Sequence, residues 1–199
     1  MTRKVVFALM LSCWTAMSPG AVWATANEAP GSAAGTTTAP STDPALSQET
    51  IDRELDRFRR SGVSLHQALR IAEKMHPGSR TADISFEGGL DVPVYKVRTL
   101  RSGQIWEFDI DCSTAKVLNS VLFSTVDRLN ETDRNSLAAL NGVTLKMSDA
   151  IRIAERSAAG RAISGGLINK DGKLAFIVVV VSGKDLKQVT LEPTSLRRR

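Results

Sequence analysis

Apolar residues recur along this chain first at helical spacing and then at every second position. From Leu65 to Ala72 they fall on one side of a predicted helix, which Ser64 and Gln67 are placed to cap and which Pro77 ends. Runs of alternating apolar and polar residues follow, and such alternation predicts antiparallel strands with one buried face. These runs cover residues 84–86, 95–99 and 106–110. We expect the helix to lie across the face formed by the last run.

The same succession returns later in the chain. Residues 68–73 recur almost unchanged as 150–155, and residues 94–97 and 109–111 correspond to 175–178 and 190–192. The sequence therefore predicts an α+β fold of two tandem repeats, each a helix packed on a small antiparallel β-sheet.

The middle strand of the second repeat, residues 174–181, is apolar on both faces, unlike its counterpart in the first repeat. Each buried Val or Ile contributes roughly 1.5–3 kcal/mol, so we expect the second face to be covered by the other repeat or by the intervening segment. A second molecule is the next candidate for the cover. If that face were open to water, it would be a partner site. The candidate partner surface consists of Tyr95, Lys96, Arg98, Ile177, Val179 and Val181.

A small helix is predicted to precede each repeat. The first begins after Ser47 and carries its apolar stripe at Ile51, Leu55 and Phe58; the second is predicted to be capped by Thr132. Residues 121–123 form a possible closing strand between the repeats. The predicted domains are 47–122 for the first repeat with its leading helix and 123–196 for the second repeat with its own.

The N-terminus has the pattern of an export signal. Arg3 and Lys4 precede a short apolar run, and small residues at 24–26 match a signal-peptidase site, so residues 1–26 are predicted to be removed after Ala26, with Ala24 as the alternative. A membrane anchor and a lipoprotein site at Cys13 are the other interpretations. Residues 27–46, rich in Pro, Gly, Ala, Ser and Thr, are predicted to be a disordered linker. The expected location is the periplasm or the outside of the cell, with no transmembrane segment after cleavage.

Charge excludes one class of partner. The formal net charge is +5, but the leader contributes Arg3 and Lys4 and the tail at 197–199 is all arginine, so the body between them has no net charge. Nucleic-acid binding usually needs clustered basic residues on a folded surface, so no nucleic-acid partner is expected. The basic tail is interpreted as a frayed end, with weak attraction to anionic lipid as the sharper alternative.

Several of these motifs together resemble the PepSY domain family. They are Ala-x-x-Ile-Ala at 68–72, Val-Tyr-x-Val at 94–97, a glycine turn, and Trp-Glu-Phe-Asp-Ile-Asp-x-x-Thr at 106–114. Asp111 and Thr114 stand where the family ends its last strand and turns, while Ala115 replaces the usual glycine. If the turn needs a positive φ at that position, alanine is strained there. The resemblance covers residues 63–120 and extends through the repeat to 143–196.

Residues that carry chemistry are scarce. The chain has two histidines, and Cys112 is the single cysteine left after the predicted cleavage. Asp109 and Asp111 open like a calcium loop, but Thr114 occupies the position of its glycine and Ser120 that of its final glutamate. No zinc ligand set or nucleophile elbow is present. We therefore predict no catalytic, cofactor-binding or metal-binding residues and no cofactor.

The resemblance implies a function by binding. PepSY domains occur in propeptides of secreted metallopeptidases, where they are linked to inhibition, and in bacterial envelope proteins. The expectation is an exported, non-enzymatic binding module whose protein or peptide partner is a candidate peptidase in the cell envelope. The alternatives are a sensory or accessory envelope protein that binds a small ligand, metal or peptide for a membrane partner, and a hydrolase built on His66 or His76.

Overall fold

The computed structural model describes residues 48–170 and 172–193. The chain divides into two units, residues 1–50 and residues 51–199. The described part of the first unit is the opening turn of a helix, and the second unit holds the remaining elements. The predicted export signal, linker and basic tail lie outside the described residues.

Four α-helices and seven β-strands make up the described chain. In order they are α1 (Gln48–Arg60), α2 (Leu65–Met75), β1 (Arg80–Glu87), β2 (Val94–Arg101), β3 (Gln104–Asp111), β4 (Val117–Thr125), a 3-10 turn (Val126–Arg128), α3 (Glu131–Leu140), α4 (Met147–Ala158), β5 (Arg161–Lys170), β6 (Lys173–Ser182) and β7 (Asp185–Leu191). The prediction of an α+β fold is confirmed.

All seven strands belong to one antiparallel sheet with the order β4-β3-β2-β1-β5-β6-β7. The sequence predicted two separate small sheets, whereas β1 pairs with β5 and joins them. Only two residue pairs make this junction, Ile84 opposite Gly165 and Ser85 opposite Ser164. A helix followed by antiparallel strands thus occurs on both sides of the junction, and the interpretation of these two parts as repeats stays a prediction.

The main core lies between the sheet and helices α2 and α4. We call this side of the sheet the front face. Helix α2 packs on β1 and β2, helix α4 packs on β5 and β6, and the two helices touch each other. The most deeply buried front-face side chains include Tyr95, Phe108 and Phe176. Helix α2 was predicted to lie across β3 but packs mainly on β1 and β2. Its C-cap residue His76 reaches β3 and packs against Trp106 with ring centroids 4.5 Å apart.

A second, smaller core lies on the opposite side of the sheet, the back face. Helix α3 packs against β1, β5 and β6 there and buries Leu137 and Leu140. Leu100 and Ile105, which are paired on the back face, are buried as well. Ile177, Val179 and Val181 are each only 7% exposed. The prediction that this face of β6 is covered is confirmed, and the intervening segment supplies helix α3 to the cover.

Side-chain caps set the starts of helices α2 and α3. Ser64 accepts a hydrogen bond from the backbone N–H of Gln67 at 3.1 Å, which confirms the predicted cap of α2. The prediction for α3 was wrong by two residues, because Asn130 rather than Thr132 is the N-cap and accepts from the N–H of Asp133 at 2.9 Å. An asparagine caps a helix as well as a threonine does, so the pattern alone did not decide between them.

Candidate interaction surface

The six residues predicted as a partner surface do not form one exposed patch. Tyr95 lies on the front face and is fully buried. Its hydroxyl donates to the carbonyl of Val63 at 2.8 Å, and burial raises its pKa to about 12. The other five lie on the back face. There Ile177, Val179 and Val181 are almost completely covered, which leaves only Lys96 and Arg98 partly accessible.

Lys96 and Arg98 are held by acidic partners on the next strand. Lys96 Nζ lies 3.2 Å from Glu107 Oε1 and 3.5 Å from Asp109 Oδ1, and Arg98 Nε donates to Glu107 Oε2 at 2.8 Å. Glu107 itself is buried. A buried carboxylate needs such partners to offset its lost hydration. The network therefore holds β2 against β3 and leaves little basic charge for a ligand.

Asp83 adds a largely buried carboxyl to the back face beside this network. Burial raises its pKa from 3.8 to about 6; the nearby Arg98 opposes that rise, and Glu87 and Glu107 add to it. The carboxyl faces Gly166 on β5, across the junction of the two halves of the sheet. The group is thus placed to affect the junction.

Strand β4 carries four of the nine exposed large apolar side chains of the described chain. It forms one edge of the sheet, and six successive residues of its nine are exposed. Its large apolar side chains are 37–52% exposed, namely Leu118, Val121, Leu122 and Phe123. The strand carries no charged residue. An edge strand of this kind can pair with another chain, and most proteins guard against it with charges or proline.

Both faces of β4 take part in this surface. Val121 pairs with Glu107 and so lies on the back face, whereas Leu122 pairs with Trp106 and lies on the front face. On the back face the guanidinium of Arg98 lies 4.2 Å from the centre of the Phe123 ring. Register shifts near Leu118 and Phe123 interrupt the pairing with β3, so the regular stretch is 119–122.

The opposite edge of the sheet has a different composition. Strand β7 is largely exposed, but it contains Asp185 and Lys187 and offers Leu186 as its single large apolar side chain above one-third exposure. Such charges discourage pairing with a further strand. Of the two edges, β4 is the one that carries no charge to discourage such pairing. Sequence reasoning recognised only residues 121–123 as a strand, although the missing charge over 117–125 was a readable signal.

We examined the described residues 48–170 and 172–193 for a metal-binding cluster and for an activated thiol. They contain no group of three or more His, Cys, Asp or Glu side chains able to hold a metal ion. Cys112 is buried, and its burial raises the thiol pKa to about 12, far from the range of an activated thiol. Asp111, the last residue of β3, caps a turn, with its Oδ1 accepting from the N–H groups of Ser113 and Thr114 at 2.7 and 2.8 Å.

A groove of about 510 Å³ lies between helix α4 and the end of β7. Asp149, Arg152 and Arg156 line it, and Arg152 and Asp149 pair with each other at 2.9 Å. It is open and contains no histidine or cysteine. In the part of the chain that the structure describes, no helix is long and apolar enough to cross a membrane.

Comparison with known proteins finds a family match for part of the chain. The family model described as "Peptidase propeptide and YPEB domain", PepSY, matches residues 62–121, which run from the start of α2 into β4. These residues are therefore similar to the PepSY domain. This confirms the resemblance predicted from the motifs, within the matched residues.

Among solved structures, the chain is similar to the crystal structure of a candidate lipoprotein from Clostridium difficile 630. The sequence identity is 21%, the alignment covers 69% of this chain and 92% of that one, and the TM-score is 0.38. No curated protein sequence matches the chain at a significant level.

Proposed function

We propose that this chain is an exported, non-enzymatic PepSY-type binding module that regulates or inhibits a peptidase in the cell envelope. The observation that carries the proposal is the edge strand β4, which is long, uncharged and exposed at Leu118, Val121 and Leu122. The basic start and apolar run of residues 1–26 support export. The second half, residues 123–196, is in this proposal a diverged PepSY-like copy with its own leading helix.

The binding mode follows from the strand. An extended segment of a partner can add to a sheet edge through main-chain hydrogen bonds, and the flanking side chains then provide selectivity. On the back face, Phe123 and Arg98 would receive one set of the partner's side chains. On the front face, Leu122 would receive the other set. Of the six residues predicted from sequence, Arg98 belongs to this surface, with Lys96 beside it.

Inhibition by such an edge needs no reactive group in the inhibitor. Peptidases commonly hold their substrates as extended strands, so a β-edge that pairs with a segment beside the active cleft can block access to it. This agrees with the buried Cys112 and with a PepSY domain, which is propeptide-like rather than catalytic. The proposal defines the peptidase only as one with an extended segment near its active cleft that can pair with β4.

Site-specific crosslinking tests the proposal. A photoreactive amino acid is placed at Val121 on β4 or, as the matched control, at Thr190 on the other edge of the sheet, and the chain is expressed in its own cell envelope. We expect position 121 to crosslink to a peptidase and position 190 not to do so. The captured peptidase is then purified and its activity measured with added wild-type chain and with Val121→Lys.

Inhibition by the wild-type chain that is weakened at least tenfold by Val121→Lys, but not by Thr190→Lys, supports the proposal. Equal crosslinking from both positions, or a captured peptidase that is unaffected by the chain, contradicts it. If a thermal-shift screen instead finds a metal or small ligand that stabilises the chain, the sensory or accessory role replaces this one.

A further inference from the structure

We propose that β4 also pairs with β4 of a second copy of this chain, giving a two-fold symmetric dimer whose sheet runs continuously through both molecules. A second copy and a partner strand compete for the same main-chain groups of β4. The dimer would therefore be the state of the chain when no partner is bound. That regulatory consequence rests on the proposed function, whereas the dimer itself does not.

Charge favours a second copy as the occupant. Val117 to Val126 is an uncharged stretch, and it is bounded by Lys116 at one end and Asp127 at the other. When two such strands run antiparallel, each copy brings its Lys116 towards the Asp127 of the other copy. Like charges directly opposite would destabilise the pair, and here none meet. The strand is therefore complementary to itself.

The register of the two β4 strands is set by which face of the sheet each side chain lies on. A two-fold axis perpendicular to the sheet keeps the two front faces on the same side, so residues that oppose each other must point to the same face. With the axis at Val121, this residue meets its own copy on the back face, and Leu122 meets Ser120 on the front face. The axis then falls within the regular stretch 119–122, between the register shifts near Leu118 and Phe123.

The exposed side chains provide the driving force. Val121 is 42% and Leu122 47% exposed in the single chain, and each would be covered by the other copy. A single strand pair is smaller than the usual stable interface of about 1,600 Å². We therefore expect a weak dimer, with a dissociation constant on the order of 10 µM, which dilution or a tighter-binding partner strand can open.

Sedimentation velocity of the chain, as processed by the cell that makes it, tests the dimer between about 1 and 300 µM, a range chosen to bracket the expected weak association. We expect monomer at the low end and dimer at the high end. Val121→Lys and Val121→Glu each place like charges at the two-fold axis, and we expect each to raise the dissociation constant at least tenfold. An equimolar mixture of the two variants should recover the wild-type value, since opposite charges then meet. Thr190→Lys on β7 is the matched control and should dimerise as the wild type does.

Hydrogen exchange provides a measurement without a variant. Backbone amides of β4 that are unpaired in the single chain should gain protection at high concentration, and those of β7 should not. A wild-type chain that stays monomeric at 300 µM, a mixture that fails to recover, or protection that appears on β7 instead would overturn the inference. If the chain is a monomer but inhibits a peptidase, the proposed function holds and the dimer is wrong. If the chain dimerises but binds no peptidase, the dimer holds and the proposed function is wrong.

Discussion

The carboxyl of Asp83 in β1 lies directly against the backbone of Gly166 in β5. A Cβ atom at position 166 would stand 3.1 Å from Asp83 Oδ1, so the absence of a side chain there makes room for the carboxyl. The contact lies beside the two residue pairs that join the halves of the sheet. A largely buried acid therefore sits where the sheet has its narrowest pairing.

Replacing Asp83 with Asn should change how stability depends on pH. The pKa of Asp83 is raised from 3.8 to about 6 in the folded chain, so the folded state binds the proton more tightly than the unfolded state does. The cost of ionising this group therefore appears as pH rises from about 4 to 6 and is constant above that range. Asn carries no such cost, and we expect Asp83→Asn to be more stable than wild type by on the order of 1–2 kcal/mol at pH 7.5.

Urea unfolding at pH 5 and pH 7.5 measures this difference. The advantage of Asp83→Asn should be smaller at pH 5 and larger at pH 7.5. Two stability curves that stay parallel over this range would show that the carboxyl is not perturbed by its surroundings.

Replacing Ala115 with Gly should stabilise the turn after β3. Ala115 has a φ of 62°, in the left-handed region that costs an L-residue roughly 1 kcal/mol more than it costs glycine. We expect Ala115→Gly to raise the free energy of unfolding by up to about 1 kcal/mol, measured by urea denaturation. The matched control is Ala138→Gly, at an exposed position inside α3, which should lower it by roughly 0.5–1 kcal/mol. Destabilisation by both changes would contradict the strained turn.

Removing the charge of Glu107 should destabilise the back face. Glu107 is 8% exposed and accepts from both Lys96 and Arg98. Glu107→Gln removes the carboxylate that the two cations share and leaves Lys96 with Asp109 at 3.5 Å. We expect a loss of about 1–3 kcal/mol. The control is Glu192→Gln, whose ion pair with Lys170 is more than half exposed on both sides, with an expected loss below about 0.5 kcal/mol. Equal losses would show that burial does not strengthen the network.

Cys112 should be unreactive in the folded chain. Its side chain is 1% exposed, and its thiol pKa is raised to about 12 by burial, so the thiolate that reacts is both rare and inaccessible. A maleimide at pH 7.5 should leave the peptide containing Cys112 unlabelled in buffer and label it fully in urea, as read by mass spectrometry. Rapid labelling of the native chain would instead make a disulfide to another molecule feasible.

Features that rest on neighbouring residues were predictable from the sequence. The cap at Ser64 needs only the next three residues, and the doubly apolar β6 required a cover because exposed Ile177 and Val179 would forgo much stabilisation. The sequence raised a positive φ at Ala115 only as a condition, and the structure has a φ of 62° there. Each of these follows from a local rule that tertiary contacts do not override.

Features that rest on distant residues were not predictable in the same way. The pairing of β1 with β5 depends on two residue pairs, one of them at Gly165, where a missing side chain lets Met147 and Ile151 of α4 approach. No apolar alternation marks such a contact. Strand β4 was recognised only in part, because its exposed side chains alternate between two accessible faces and give no period to read. The proposed binding edge, β4, is therefore the strand with the weakest alternation of apolar and polar residues.

The position of β5 has a consequence for the access of ligands to β1. The first half of the sheet has the order β4-β3-β2-β1. In a protein made of this half alone, β1 would be an edge strand. Here β5 of the later half pairs with β1 and covers that edge. A ligand that binds by pairing with β1 in a protein of one such unit therefore cannot bind in the same way to this chain.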